Sequence, residues 1–121
     1  MADICLSTVI LYVCDPEHSA AFYAEHFGLK IVARDAGMVE LRGPQGAGLL
    51  LHPAAKSARL GQAGIKLSFA VEDVAGFTAR AAELGLMFGP IHQAAGYEFA
   101  NAKDPDGHHL SVSSRSFRAH A

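Results

Sequence analysis

The sequence predicts an α+β fold of two tandem βαβββ modules, and three observations predict it. A β-branched and aromatic run at residues 8–13 leads into an Asp-capped helical pattern that ends in glycine. The same strand and helix pattern returns at 66–85. Each helix is followed by short β-like runs separated by Gly, Pro and Asp turn residues. With 121 residues and 50% apolar composition, the chain suits one compact domain rather than two independent ones.

Taken in order, Thr8-Val9-Ile10-Leu11-Tyr12-Val13 reads as a strand buried on both faces. Asp15 is a good N-cap, Pro16 suits the first helical position, Tyr23 and Phe27 share a face, and Gly28 stops the helix. Strands are expected at 29–34, 38–42 and 48–52, broken by Asp35-Ala36-Gly37 and by Gly43-Pro44-Gln45-Gly46. The first module then spans about 5–53, and the Ala- and Gly-rich segment 54–64 reads as a linker.

The second module spans about 65–114. Its strand and cap, Lys66 to Asp73, align with Thr8 to Asp15 at an offset of 66 − 8 = 58. Val74, Phe77, Ala81 and Leu84 form the helical stripe, and Gly85 ends the helix as Gly28 ended the first. Runs at 97–102 and 109–113 flank Asp104-Pro105-Asp106-Gly107 and read as a hairpin. Chance similarity between two strand-helix units is the alternative. Against it, Gly46 precedes Leu50 by four residues, as Gly107 precedes Ser111. Residues 115–121 are expected to form a mobile tail that holds His120, and Arg115 and Arg118 within it read as solvated rather than functional.

A formal charge of −2 lacks the basic excess of a protein that works on nucleic acid or on anionic lipid. The apolar run at 8–13 is far shorter than the roughly 20 residues of a membrane span, and no signal peptide is read. Cys5 and Cys14 form no CxxC pair. Free thiols suggest the cytoplasm, and Cys14 reads as a buried structural thiol. No GxSxG elbow, GxxxxGK[ST] loop or HExxH is present. The expected partner is a small molecule or another protein.

Val13-Cys14-Asp15 leading to Phe22-Tyr23 and Phe27-Gly28-Leu29, Val71-Glu72-Asp73 leading to Leu84-Gly85, and Asp104-Pro105-Asp106-Gly107 before the final strand resemble the vicinal oxygen chelate superfamily. That superfamily includes glyoxalase I, extradiol dioxygenases and bleomycin-resistance proteins. The resemblance implies the glyoxalase/bleomycin-resistance fold, in which curved sheets enclose a cleft, usually completed by a homodimer. In the family's enzymes a divalent metal acts there as a Lewis acid on two substrate oxygens.

The ligand positions that the resemblance implies lie seven residues before each capping Asp and four after the Gly opening each module's last strand. They fall here on Thr8, Leu50, Lys66 and Ser111. Leu50 has no donor, Lys66 is a cation, and the two hydroxyls are poor ligands beside imidazole or carboxylate. No metal and no cofactor are therefore expected. The alternative is an atypical site of His52 and His109 with His92, Glu40 or Glu98 as third ligand. His18 reads as a helix residue, His26 as a solvated partner of the helix dipole, and His108 as an exposed turn residue.

The inward faces implied by the resemblance carry Thr8, Ile10, Tyr12, Leu50 and His52 from one module. The other supplies Lys66, Ser68, Ala70, His109, Ser111 and Ser113. Phe99 and Asn101 join them in the family's register, whereas simple pairing about a four-residue loop turns Glu98 and Ala100 inward. Apolar walls with a few hydroxyls, an imidazole and one amine suit a small-molecule site. Lys66 either meets an anionic or carbonyl-bearing part of a ligand, snorkels into solvent, or pairs with Glu40 or Glu98. Three functions follow: a metal-free small-molecule binding protein, a metal-dependent lyase, isomerase or dioxygenase, and a ligand-free dimeric interaction module.

Overall fold

The computed structural model describes residues 3–119, so the expectation for His120 lies outside the described residues. The chain folds as two compact units that meet in sequence at Leu60 and Gly61. Each holds one four-stranded mixed sheet and one α-helix, so the α+β class and the tandem βαβββ pattern are both present. No helix among the described residues is long and apolar enough to cross a membrane.

The first unit runs β1 (Thr8–Val13), α1 (Pro16–Phe27), β2 (Lys30–Asp35), β3 (Met38–Arg42) and β4 (Gly48–Pro53), with sheet order β1-β4-β3-β2. β1 runs parallel to β4, and the other pairs are antiparallel. The Asp15 carboxylate accepts the free N–H groups of Glu17 and His18 at 3.1 and 3.2 Å, which starts α1. Gly28, at φ 69°, donates to the Ala24 carbonyl and closes it. The helix buries Ser19, Ala20 and Tyr23. One sheet face buries Val39, Leu41, Leu49 and Leu51, each worth about 1.5–3 kcal/mol of burial.

Burial of β1 on both faces does not hold within this unit, because one helix covers one side and β1 is an edge strand. Val13 is fully buried, while Ile10 and Tyr12 are 53% and 52% exposed on the opposite face. Cys14 lies between β1 and the cap and is exposed, which corrects the buried reading, as is Cys5. His26 departs the other way. Its ring packs 4.8 Å from Phe22, and its Nδ1 is buried with no hydrogen-bond partner, so it is not a solvated dipole partner. β2 begins and ends one residue later than predicted and carries a register shift between Ile31 and Ala33.

The second unit repeats the order with β5 (Lys66–Ala70), α2 (Val74–Glu83), β6 (His92–Ala94), β7 (Tyr97–Lys103) and β8 (His109–Ser113), arranged β5-β8-β7-β6. A short 3-10 helix, Arg115–Phe117, follows. Asp73 caps α2 by accepting from the Gly76 N–H at 2.9 Å. At the other end Gly85, at φ 93°, donates to Ala82, and Leu86 donates to Ala81. Those two bonds form a Schellman stop, whose apolar partner is the residue after the glycine. Leu86 is accordingly buried and Leu84 is 54% exposed, so Leu84 does not belong to the buried stripe.

β7 and β8 pair as the predicted hairpin. In the loop between them the buried Asp104 carboxylate accepts the N–H groups of Asp106 and His108, each at 2.9 Å. His108 is half-buried in that loop rather than exposed. β6 is three residues long and all exposed, too short to show as a periodic run.

Candidate functional site

Alternation along each strand sends one set of side chains to the helix and leaves the other on an open face. In the first unit the register pairs Ile10 with Leu50 and Tyr12 with His52, which puts all four on the open face beside Thr8. The Tyr12 and His52 rings meet at 4.8 Å, and His52 Nδ1 lies 2.8 Å from the Pro53 carbonyl oxygen. Glu40 pairs with Leu50 across β3 and β4, and its carboxylate accepts from Arg42 Nε at 3.1 Å.

In the second unit β8 lies between β5 and β7. The register sets Lys66 opposite His109 and Ser68 opposite Ser111 on one side, and Asn101 opposite Ser111 and Phe99 opposite Ser113 on the other. Phe99 and Asn101 thus share the open face with Ser68 and Ser111, while Ala100 is fully buried on the helix side. Lys66 reaches across β8 and donates to Asn101 Oδ1 at 2.8 Å, with its ammonium 5.5 Å from the centre of the Phe99 ring. Beneath that bridge Ser111 donates to Ser68 Oγ at 2.9 Å. His92 and Tyr97 extend the aromatic surface, with ring centres 5.0 and 6.3 Å from Phe99.

The donors at the four positions that the resemblance assigns to a metal do not suit one. Lys66 brings a positive charge held by Asn101, Ser111 a hydroxyl already bonded to Ser68, Leu50 nothing, and Thr8 a neutral hydroxyl. His109 is paired on both sides with lysines, Lys66 and Lys103, whose charges oppose a cation there. Glu98, the alternative third ligand, lies on the same side of β7 as buried Ala100 and accepts a hydrogen bond from Gln93. Among the described residues no group of three or more His, Cys, Asp or Glu is placed to hold an ion.

Arg115 is exposed, as the sequence suggests for a tail, whereas Arg118 is half-buried. Both guanidinium groups pack on the Tyr97 ring, 5.8 and 5.6 Å from its centre. With Ser68, Ala70, Ser113 and Ser116 they line a cavity of about 350 Å³ in the second unit. The three-residue spacing of the two arginines, which puts side chains on one side of a helical turn, is the one sequence signal for this placement.

Comparison with known proteins agrees with this architecture. A search of curated proteins finds no match. Among solved structures, TnmS3, an antibiotic binding protein from Streptomyces sp. CB03234, superposes with a TM-score of 0.78 at 22% identity, over 93% of this chain and 96% of that one. A lactoylglutathione lyase from Agrobacterium tumefaciens gives 0.72 at 22% identity, over 93% and 94%. An integron cassette protein from the mobile metagenome of V. cholerae gives 0.72 at 25%, over 93% and 96%. The family model for the Glyoxalase/Bleomycin resistance protein/Dioxygenase superfamily matches residues 6–112, nearly the whole chain, and the chain belongs to that superfamily.

Proposed function

We propose that this protein binds a small, planar organic molecule on the open face of its second sheet and does so without the metal used by the family's enzymes. The observation that carries the reading is the Lys66 bridge to Asn101 over Phe99. It joins a flat apolar surface to a fixed ammonium and an amide, which suits a ring bearing a carbonyl or acid group. Occupation of a metal-ligand position by that ammonium supports binding over metal chemistry. The likeness to TnmS3 adds antibiotics to the ligands worth testing. Homodimer formation and a cytoplasmic location belong to the same proposal.

The test is a melting-temperature screen of antibiotics and aromatic metabolites, with metal analysis of untagged protein. A ligand present at about 100 times its Kd adds roughly 2.7 kcal/mol of stability. The expected result is a hit whose effect is lost in Lys66→Met, on protein without stoichiometric metal. Stoichiometric zinc, iron, nickel or manganese, or a hit that binds Lys66→Met equally well, overturns the reading.

A further inference from the structure

We infer that the cavity at Arg115 and Arg118 is an anion site that takes the carboxylate, sulfate or phosphate group of the small molecule. The inference rests on the binding reading above, because Ser68 belongs both to this cavity and to the open face that carries Lys66. It adds the ligand's chemical class: an acid, with its charged group at the arginine end.

Every polar side chain that lines the cavity is able to donate. Ser68 accepts from Ser111, so its own hydroxyl hydrogen is left for something else. Ser113 is only 8% exposed, and its Oγ accepts the Arg115 backbone N–H at 3.1 Å, which again leaves the hydroxyl hydrogen uncommitted. Ser116, Arg115 and Arg118 complete the polar lining beside Ala70, and no carboxylate is part of it. A pocket of unspent donors is chemically matched to an acceptor with several lone pairs, which an oxyanion is.

The charges agree. Two cations held at one aromatic ring repel each other, and the ring's negative face offsets only part of that. Among the described residues neither arginine forms an ion pair, whereas Arg34 and Arg42 each have a glutamate. Contact with the Tyr97 ring restrains both side chains before a ligand arrives, so less rotamer freedom is lost when it binds. At about 350 Å³ the cavity has room for an acid group and part of the ring that carries it.

Inorganic sulfate and phosphate are the probes, titrated against chloride at equal ionic strength while backbone amide signals are followed by NMR. The parent should show saturable shifts at residues 113–118, and Arg115→Gln/Arg118→Gln should bind about tenfold more weakly or worse. Should the double variant not fold, Arg118→Lys keeps the charge, loses the two-pronged fork, and should still weaken binding. No saturable shift in the parent, or equal affinity in the variants, overturns the inference. Matched acidic and neutral aromatic compounds separate the two proposals. If neutral compounds stabilise the parent and their acids do no better, the anion site falls and the binding reading stands. Sulfate binding at the arginines without stabilisation by any aromatic compound keeps the anion site and removes that reading.

Discussion

Lys66 Nζ and Asn101 Oδ1 meet at 2.8 Å across the intervening strand β8, so one side chain spans the open face of the second sheet. The pair is solvent-accessible, and its hydrogen bond contributes little to stability. Lys66→Met should change unfolding free energy by less than about 1 kcal/mol in a urea titration. Binding of an anionic or carbonyl-bearing ligand should nevertheless drop, because the ammonium that orients it has gone. A stability loss well beyond 1 kcal/mol would make Lys66 a structural residue instead.

The exposed pair Glu17 and Arg34 predicts an acid-side pH dependence. Arg34 Nε donates to Glu17 at 2.8 Å and its second nitrogen at 3.1 Å. Hydrogen bonding by Arg34, aided by its charge, holds the Glu17 carboxyl below its ordinary value of 4.5, and the same contacts raise Arg34. A carboxyl lowered in the folded state stabilises above its unfolded value, and this is lost as pH falls through the folded one. The Arg34 contribution is lost only in strong alkali. Arg34→Gln should therefore be less stable than the parent near neutrality, the two curves converging below about pH 4.5. Because the pair is fully exposed, added salt should shrink the difference. Parallel curves down to strongly acidic pH would refute the linkage.

Ala36 sits at φ 52° and Gly37 at φ 83°, in the two-residue connection between β2 and β3. Positive φ at both positions is the type I′ pattern, which asparagine and glycine adopt and alanine resists. Among the described residues Ala36 is the one non-glycine in this region. Ala36→Asn should stabilise the chain by several tenths of a kcal/mol, up to about 1 kcal/mol, read as a higher urea midpoint with unchanged slope. A lower midpoint would mean that the Ala36 side chain makes a contact worth more than the strain.

What the sequence made legible was local. Asp15, Asp73, Gly28 and Gly85 mark the helix ends because a cap or a left-handed stop depends on residues a few places apart. The 58-residue repeat carried the topology, since equal modules fold alike. Leu84 is not resolved by the pattern, because the same periodicity fits a last helical residue and a cap, and the Leu86 to Ala81 bond distinguishes them. The open face of β1 was hidden because its outward positions, Ile10 and Tyr12, are as apolar as its inward ones. The contact of Arg115 and Arg118 with Tyr97 is not legible in the sequence, because Tyr97 lies on β7, at a separation no short-range pattern reports.

The predicted linker also ends in a specific contact. Gly61 is at φ 78°, and a Cβ built on it would lie 2.6 Å from the Gly107 carbonyl oxygen and 2.9 Å from the Gly107 carbonyl carbon. Both neighbouring atoms are backbone, so a side chain there cannot be accommodated by rotating a flexible group. Gly61→Ala should cost about 1–2 kcal/mol from the left-handed backbone alone, and more as the turn is pushed away. The turn most affected is the one organised by Asp104, whose carboxylate holds the Asp106 and His108 amides. Hydrogen exchange at those two amides should therefore accelerate more than the global loss of stability explains, while exchange in α1 follows the global loss. Unchanged stability together with unchanged exchange at Asp106 and His108 would show that the segment does not rest on the β7–β8 turn in solution.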